Sequence, residues 1–211
     1  MFSDTLIEQI ERQRIIAVLV VDRAEDGVPL ARALLEGGVD MMELTLRTDD
    51  ALEALRRIAQ EVPEMTVGAG TVLTPEQVRQ VQDAGAAFAV SPGTNPRVLK
   101  AAQDAGISFA PGIVTPSDIE QALEFGCRLL KFFPCEPSGG LTYLKSIAAP
   151  FAHLGVRFIP LGGLTVKNMA AYLADPLVAA IGGSWLAPRD LIRAGDWTQI
   201  ATLAREARTG E

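Results

Sequence analysis

The sequence predicts an α/β protein, a compact (β/α)8 barrel with an additional N-terminal helix, and three observations lead there. Apolar strand-like runs alternate with amphipathic helical stretches, which implies a parallel sheet. A short signature recurs in "LLEGGVDMMEL", "VQDAGAAFAV", "AQDAGISFAP" and "ALEFGCRLLKFF": a helical stretch with an acidic residue, a glycine, then an apolar run. Its glycines Gly85, Gly106 and Gly126 stand about 20 residues apart, close to one strand–helix unit each, and glycine just past a helix supplies the left-handed C′ position. Following that rhythm gives eight strands within 211 residues, where about 250 is usual for such a barrel. An open doubly wound sheet is the rival, but no run reads as a natural edge strand. Residues 1–211 are expected to form a single barrel domain.

The elements follow in order. "MFSDTLIEQIERQR" is acidic and helical in period and predicts a helix near 3–13. The first strand, "IIAVLVV" at 15–21, is the longest aliphatic run, and its seven residues fall far short of a membrane span. The second, near 39–46, alternates: Val39, Met41, Glu43, Thr45 and Arg47 share one side, while Met42, Leu44 and Leu46 take the other and suit packing against helices. The third, near 66–71, ends in "GAGT" at Thr71. The fourth, near 87–91, runs into Ser91 and Pro92, and the fifth, near 107–110, into Pro111. Between them "TPEQV", "TNPRV" and "TPSDI" each set a hydroxyl or amide cap before a proline in the first helical turn. The sixth strand, near 128–133, lies in "RLLKFFPCEP". The seventh and eighth, near 156–160 and 178–182, end in the doubled glycines of "PLGG" and "IGGS".

A net charge of −7 argues against nucleic acid or an anionic membrane surface as partner, since either needs a basic stripe. It leaves room for a small phosphorylated ligand held by backbone amides. Cys127 and Cys135 read as free thiols, and the acidic N-terminus lacks the basic and apolar regions of a secretory leader, so a cytoplasmic setting is expected. His153 is the only histidine, which leaves no set of ligands for a catalytic zinc. It could serve a Ser-His-Asp arrangement only from the loop-like "PFAHLGV", where an exposed or capping histidine is the plainer reading. Chemistry must therefore run on lysine, carboxylates, arginine, hydroxyls and backbone.

Strand ends are where barrels place their active sites. The chain has four lysines; Lys100, Lys145 and Lys167 fall in helical stretches with polar neighbours, and Lys131 alone lies in a strand. Lysine is seldom buried without a partner. Snorkelling from a barrel end would explain it, and so would a structural ion pair with Glu43, the other inward charge. The sharper reading is a Schiff-base lysine with a carboxylate beside it to move protons. An amine nucleophile must be neutral, and an ordinary lysine, with a pKa near 10.4, is neutral in roughly one molecule of a few thousand at pH 7. Apolar walls favour the uncharged amine, so burial would serve the chemistry. The doubled glycines read either as tight turns or, with Ser184, as an oxyanion or phosphate site after strands seven and eight.

Seven segments, "EGGVDMMELTLRT", "VGAGTVLTPEQ", "AVSPG", "PGIVTPS", "LKFFPCEPSGG", "PLGG" and "IGGSWLAP", resemble in colinear order the bacterial 2-keto-3-deoxy-6-phosphogluconate (KDPG) and 4-hydroxy-2-oxoglutarate (KHG) aldolases. The resemblance covers nearly the whole chain. It implies a (β/α)8 barrel, usually a homotrimer, that needs no metal or cofactor and splits a phosphorylated keto acid into pyruvate and glyceraldehyde 3-phosphate. It further implies Lys131 as Schiff-base lysine and Glu43 as proton shuttle, with Arg47, Thr71, Pro92 and Phe133 around the pyruvate end. Gly162, Gly163, Gly183 and Ser184 would take the phosphate. Relatives commonly read "PTGG" where this chain has Leu161, which bears on substrate stereochemistry, and "PAEANGG" where it has "PCEPSGG". The galactonate epimer, 4-hydroxy-2-oxoglutarate and oxaloacetate would use the same imine. A sugar-phosphate isomerase or epimerase with Glu43 as base, or a non-catalytic phosphate-binding module, are the readings from other classes.

Overall fold

The computed structural model describes residues 2–209. It opens with α1 (Asp4–Gln13), followed by β1 (Ile15–Leu19), α2 (Gly27–Glu36), β2 (Met41–Thr45), α3 (Ala51–Glu61), β3 (Thr66–Gly70) and α4 (Pro75–Asp83). Then come β4 (Phe88–Val90), α5 (Pro96–Ala105), the short β5 (Ser108–Ala110) and β6 (Gly112–Ile113), α6 (Pro116–Glu124) and β7 (Leu129–Phe132). The chain finishes with α7 (Gly140–Ala148), β8 (Arg157–Pro160), α8 (Met169–Leu173), β9 (Ile181–Gly183), α9 (Arg189–Ala194) and α10 (Trp197–Thr209).

All pairings are parallel. Six strands run β5-β4-β3-β2-β1-β9 and three run β6-β7-β8. Two seams join these sheets into one barrel of eight strand positions. At the first, β5 and β6 are one strand interrupted at Pro111, which has no N–H to give the ladder. The Pro111 carbonyl still accepts from the Lys131 amide at 2.9 Å, carrying the pairing across to β7. At the second, the bridges Phe158↔Val178 and Leu161↔Gly182 close β8 onto β9. The expected eighth strand thus begins as bridged backbone near Val178, with only Ile181–Gly183 as regular strand.

The helix starts follow their sequence signals. Thr74 and Asn95 accept from the amides of Gln77 and Arg97, and Thr115 forms a capping box with Asp118. Gly106 ends α5 in the left-handed conformation, with φ 71°. Two expectations are corrected. Val39 precedes β2 and packs among the strand–helix layer rather than facing inward. Lys167 lies in a turn before α8, not in a helix.

The buried side chains fall into two groups. The larger lies between strands and surrounding helices and holds Met42 and Leu44. The smaller fills the barrel interior with Ile16, Met41, Phe88, Val90, Leu129 and Ile159. Alternation along β2 therefore sends its methionines to different layers. Leu6 and Ile10 of α1 belong to the interior group, and the Phe2 ring sits 6.3 Å from that of Phe88. The N-terminal helix thus plugs the barrel floor. Truncating that plug should cost stability as a core residue does: Ile10, only 1% exposed, when changed to Ala is expected to lose about 2–4 kcal/mol in urea unfolding.

Candidate active site

At the C-terminal end of the strands lies a cleft of about 660 Å3. Seven of the sequence-predicted residues line it: Lys131, Arg47, Phe133, Gly162, Gly163, Gly183 and Ser184. β2 and β7 hold positions two and six of the eight, so Glu43 and Lys131 project from opposite walls and meet inside the barrel. Lys131 Nζ donates to Glu43 Oε1 at 3.0 Å and Oε2 at 3.4 Å. Their side chains are 8% and 3% exposed, so this is a buried ion pair. The ammonium also sits 5.5 Å from the centre of the Phe133 ring, within cation–π range.

Small neighbours make the pair possible. Gly70, at the end of β3, faces the Glu43 carboxylate so closely that any Cβ there would overlap it. Gly112 pairs in register with Lys131, and a Cβ on it would strike the Pro92 carbonyl. Pro92 therefore packs beside the lysine strand but does not line the cleft. Thr71 adopts φ 60°, a left-handed backbone that a branched residue rarely takes and that costs on the order of 1–3 kcal/mol. There its hydroxyl accepts from Arg47 Nε at 3.4 Å, tying the arginine to the β3 end of the site. Thr45 is anchored at 3.0 Å to the Leu19 carbonyl. Leu161, buried on the floor, lies against Gly182, where a Cβ would come within 2.8 Å of its Cγ.

The glycine-rich rim is braced from behind. The Cys135 and Glu136 amides donate to the carbonyls of Leu161 and Gly162, at 2.7 and 3.0 Å. Cys135 Sγ donates to Tyr172 Oη at 3.2 Å, and that hydroxyl donates to the Glu136 carboxylate. Burial pushes the Cys135 thiol up to about 11, against the bond to Tyr172, and Cys127 likewise to about 11. Burial, with the bonds to Cys135 and Glu136, also raises Tyr172. The sequence offered a reason to see Thr45 pointing inward but none to find this brace, whose partners are 36 and 37 residues apart. Nor did it mark Trp185 and Arg189, which line the cleft too.

His153 is exposed in the six-residue 3-10 stretch (Ala149–Leu154) before β8, at the end opposite the cleft. Among the described residues no group of three or more His, Cys, Asp or Glu is placed to hold a metal ion, and no helix is long and apolar enough to cross a membrane.

Two outcomes are expected. Gly70→Ala, by displacing the Glu43 carboxylate, should cut kcat by about 10²-fold or more, as loss of a positioned acid–base group does, while circular dichroism stays that of the parent. The two thiols are raised on folding, so their contribution to stability is complete below pH 9 and is lost as pH rises towards 11. A Cys127→Ala/Cys135→Ala double variant should show a shallower alkaline fall in unfolding free energy over that interval.

Known proteins resemble this arrangement along its length. Residues 6–203 match the model of the KDPG and KHG aldolases. A 2-dehydro-3-deoxy-phosphogluconate aldolase of Treponema pallidum is 48% identical over 96% of this chain and 95% of its own. A KHG/KDPG aldolase of Escherichia coli strain K12 is 49% identical over 93% and 91%. The crystal structure of a KDPG aldolase from Legionella pneumophila superimposes with a TM-score of 0.91 at 38% identity, covering 96% of this chain and 98% of that one. In that relative, pyruvate was captured at low pH as a covalent carbinolamine intermediate.

Proposed function

The chain belongs to the KDPG and KHG aldolase family, and from that premise we propose how its cleft carries out the family reaction. The protein is a class I aldolase, a lyase that cleaves 2-dehydro-3-deoxy-6-phosphogluconate to pyruvate and D-glyceraldehyde 3-phosphate. The observation that carries the residue assignment is the ion pair of Lys131 and Glu43, buried at the floor of an otherwise open cleft.

Proton transfer along the 3.0 Å Lys131–Glu43 hydrogen bond leaves a neutral amine beside a carboxylic acid. The amine attacks the C2 ketone to form a carbinolamine. Glu43 returns the proton to the departing hydroxyl, which leaves as water, and the lysine nitrogen becomes a cationic imine. That imine withdraws the C3–C4 bonding pair as Glu43 takes the proton of the C4 hydroxyl, so the aldehyde phosphate is released and an enamine remains. Glu43 then protonates C3, and water hydrolyses the imine to free pyruvate and the lysine.

Arg47 and Thr71, joined at 3.4 Å, are suited to the keto-acid carboxylate, with Phe133 as apolar wall and Pro92 holding the neighbouring strand end. Gly162, Gly163, Gly183 and Ser184 are suited to the phosphate, because they bring backbone amides and a hydroxyl to the cleft rim, with Trp185 packed against Gly183 and Glu136 against Gly163 where a Cβ would otherwise stand. Binding there orients the substrate rather than taking part in bond making. 4-Hydroxy-2-oxoglutarate is a second substrate for the same imine, in keeping with the double name of the Escherichia coli relative. A homotrimeric, cytoplasmic enzyme is proposed as well, the first on family resemblance alone and the second on two free cysteines and an acidic composition.

Borohydride reduction in the presence of pyruvate should trap a covalent adduct on Lys131, located by peptide mass spectrometry. No mass increase on that peptide would remove the imine and leave Glu43 as the base of an isomerase. Lys131→Met is expected to abolish both trapping and cleavage. Glu43→Gln should lower kcat by about 10²–10⁴-fold, the usual contribution of a positioned acid–base group.

A further inference from the structure

Arg189 has no part in the scheme above, yet it lines the same cleft as Lys131, Gly183 and Ser184. It is the first residue of α9, reached six residues after Gly183 of the β9 glycine pair. Its guanidinium donates through Nε at 3.0 Å and through Nη2 to the two carboxylate oxygens of Asp22, in the loop after β1. Arg193, one turn further on, donates from Nε to Asp22 Oδ2 at 2.6 Å. Two guanidinium groups therefore share one carboxylate, and Asp190, 3.9 Å from Arg193, balances the remaining charge, so what the cluster gives the cleft is a fixed direction for Arg189 rather than net charge. The bonds from Arg189, then Arg193, hold the Asp22 carboxyl well below the usual carboxylate range, so Asp22 stays ionised and keeps its hold on Arg189 across the working pH.

The geometry leaves Arg189 half-used. A side-on fork engages Nε and Nη2, while Nη1 has no hydrogen-bond partner among the described residues. A guanidinium fixed on one edge and open on the other is pre-organised for a second oxyanion, and it matches phosphate geometry better than a lysine would. Exposed ion pairs contribute little to stability, so folding gives no sufficient reason for gathering the three groups here.

We propose that Arg189, oriented by Asp22, is a further specificity-determining residue of the aldol reaction, using its open edge to bind the terminal phosphate dianion of the substrate. The inference rests on the reading of the glycine-rich rim as the phosphate end and adds to it a side-chain cation. Arg193 shares the carboxylate but does not line the cleft, so it serves as an internal control.

The test compares kcat and KM on the phosphorylated six-carbon aldol and on 4-hydroxy-2-oxoglutarate for the unmodified enzyme and for Arg189→Met, Arg189→Lys and Arg193→Met. Loss of one charge-assisted phosphate contact should raise KM for the phosphorylated substrate about tenfold in Arg189→Met, with kcat within about threefold. The phosphorylated-to-unphosphorylated ratio of kcat/KM should fall by the same factor, with Arg189→Lys recovering part of it and Arg193→Met within about twofold of the parent. Inhibition by inorganic phosphate should weaken in parallel. If the unmodified enzyme prefers the phosphorylated substrate and Arg189→Met keeps that preference, the role of Arg189 is overturned while the phosphate rim stands. An equal loss on both substrates makes Arg189 structural and overturns the proposal as well. An unmodified enzyme indifferent to phosphate overturns the rim reading itself, before any variant is compared.

Discussion

The buried contact between Lys131 and Glu43 is the constraint around which the barrel is arranged. Each ion removed from water costs several kcal/mol, and only a close, well-directed partner offsets that cost. The two residues face each other from strand positions two and six, so the partner must be reached across the full interior. Long side chains accomplish this at 3.0 Å only because Gly70 leaves the volume that a Cβ would take, while Gly112 lets the Pro92 backbone close against the strand beside Lys131. Below the pair, Met41, Phe88, Leu129 and Ile159 fill the barrel, and Leu6 and Ile10 of the first helix seal its floor. Water and substrate therefore meet the amine from the cleft side. The N-terminal helix, far from the chemistry in sequence, helps to keep the pair dry.

Above the pair, the strand ends trade regular backbone for function. Thr71 accepts a left-handed conformation at the end of β3, the place where its hydroxyl meets Arg47. Pro111 interrupts the fifth strand position, yet its carbonyl still binds the Lys131 amide, so the break shapes the strand end without loosening the lysine. Behind the rim, amides of Cys135 and Glu136 hold the Leu161–Gly162 backbone, while Tyr172 links the thiol to the carboxylate. Such a brace matters because glycine-rich backbone is entropically costly to order. A phosphate site made of amides is pre-organised only if something else fixes the loop.

What could be read from the sequence divides along the range of the forces involved. The strand–helix rhythm, the Thr74, Asn95 and Thr115 caps and the left-handed Gly106 are local effects, legible within a few residues. Alternation along β2 was enough to point Glu43 inward and to separate Met41 from Met42. It failed at Val39 because a period of two holds only inside the strand, and the chain enters β2 at Met41. Pro92 shows another limit: strand-end position was legible, but whether the ring enters the cleft depends on how β4 leans on Gly112. The Asp22–Arg189 contact spans 167 residues, and its members look like ordinary surface charges in isolation.

The same contact bears on how a chain of net charge −7 can receive an anionic substrate. Screening confines charge effects to about 8–10 Å at physiological salt, so the local field at the cleft counts for more than the total. There the backbone of the glycine pairs supplies partial positive charge, and Arg47 and Arg189 supply two full ones. Neither arginine is free to wander, since Thr71 holds one and Asp22 the other. Asp22 holds one edge of the Arg189 guanidinium and leaves Nη1 without a partner among the described residues. One carboxylate thus fixes the direction of a guanidinium at the rim. In the proposed scheme the buried pair carries the chemistry, and the exposed contact is assigned the choice of which keto acid is presented to it.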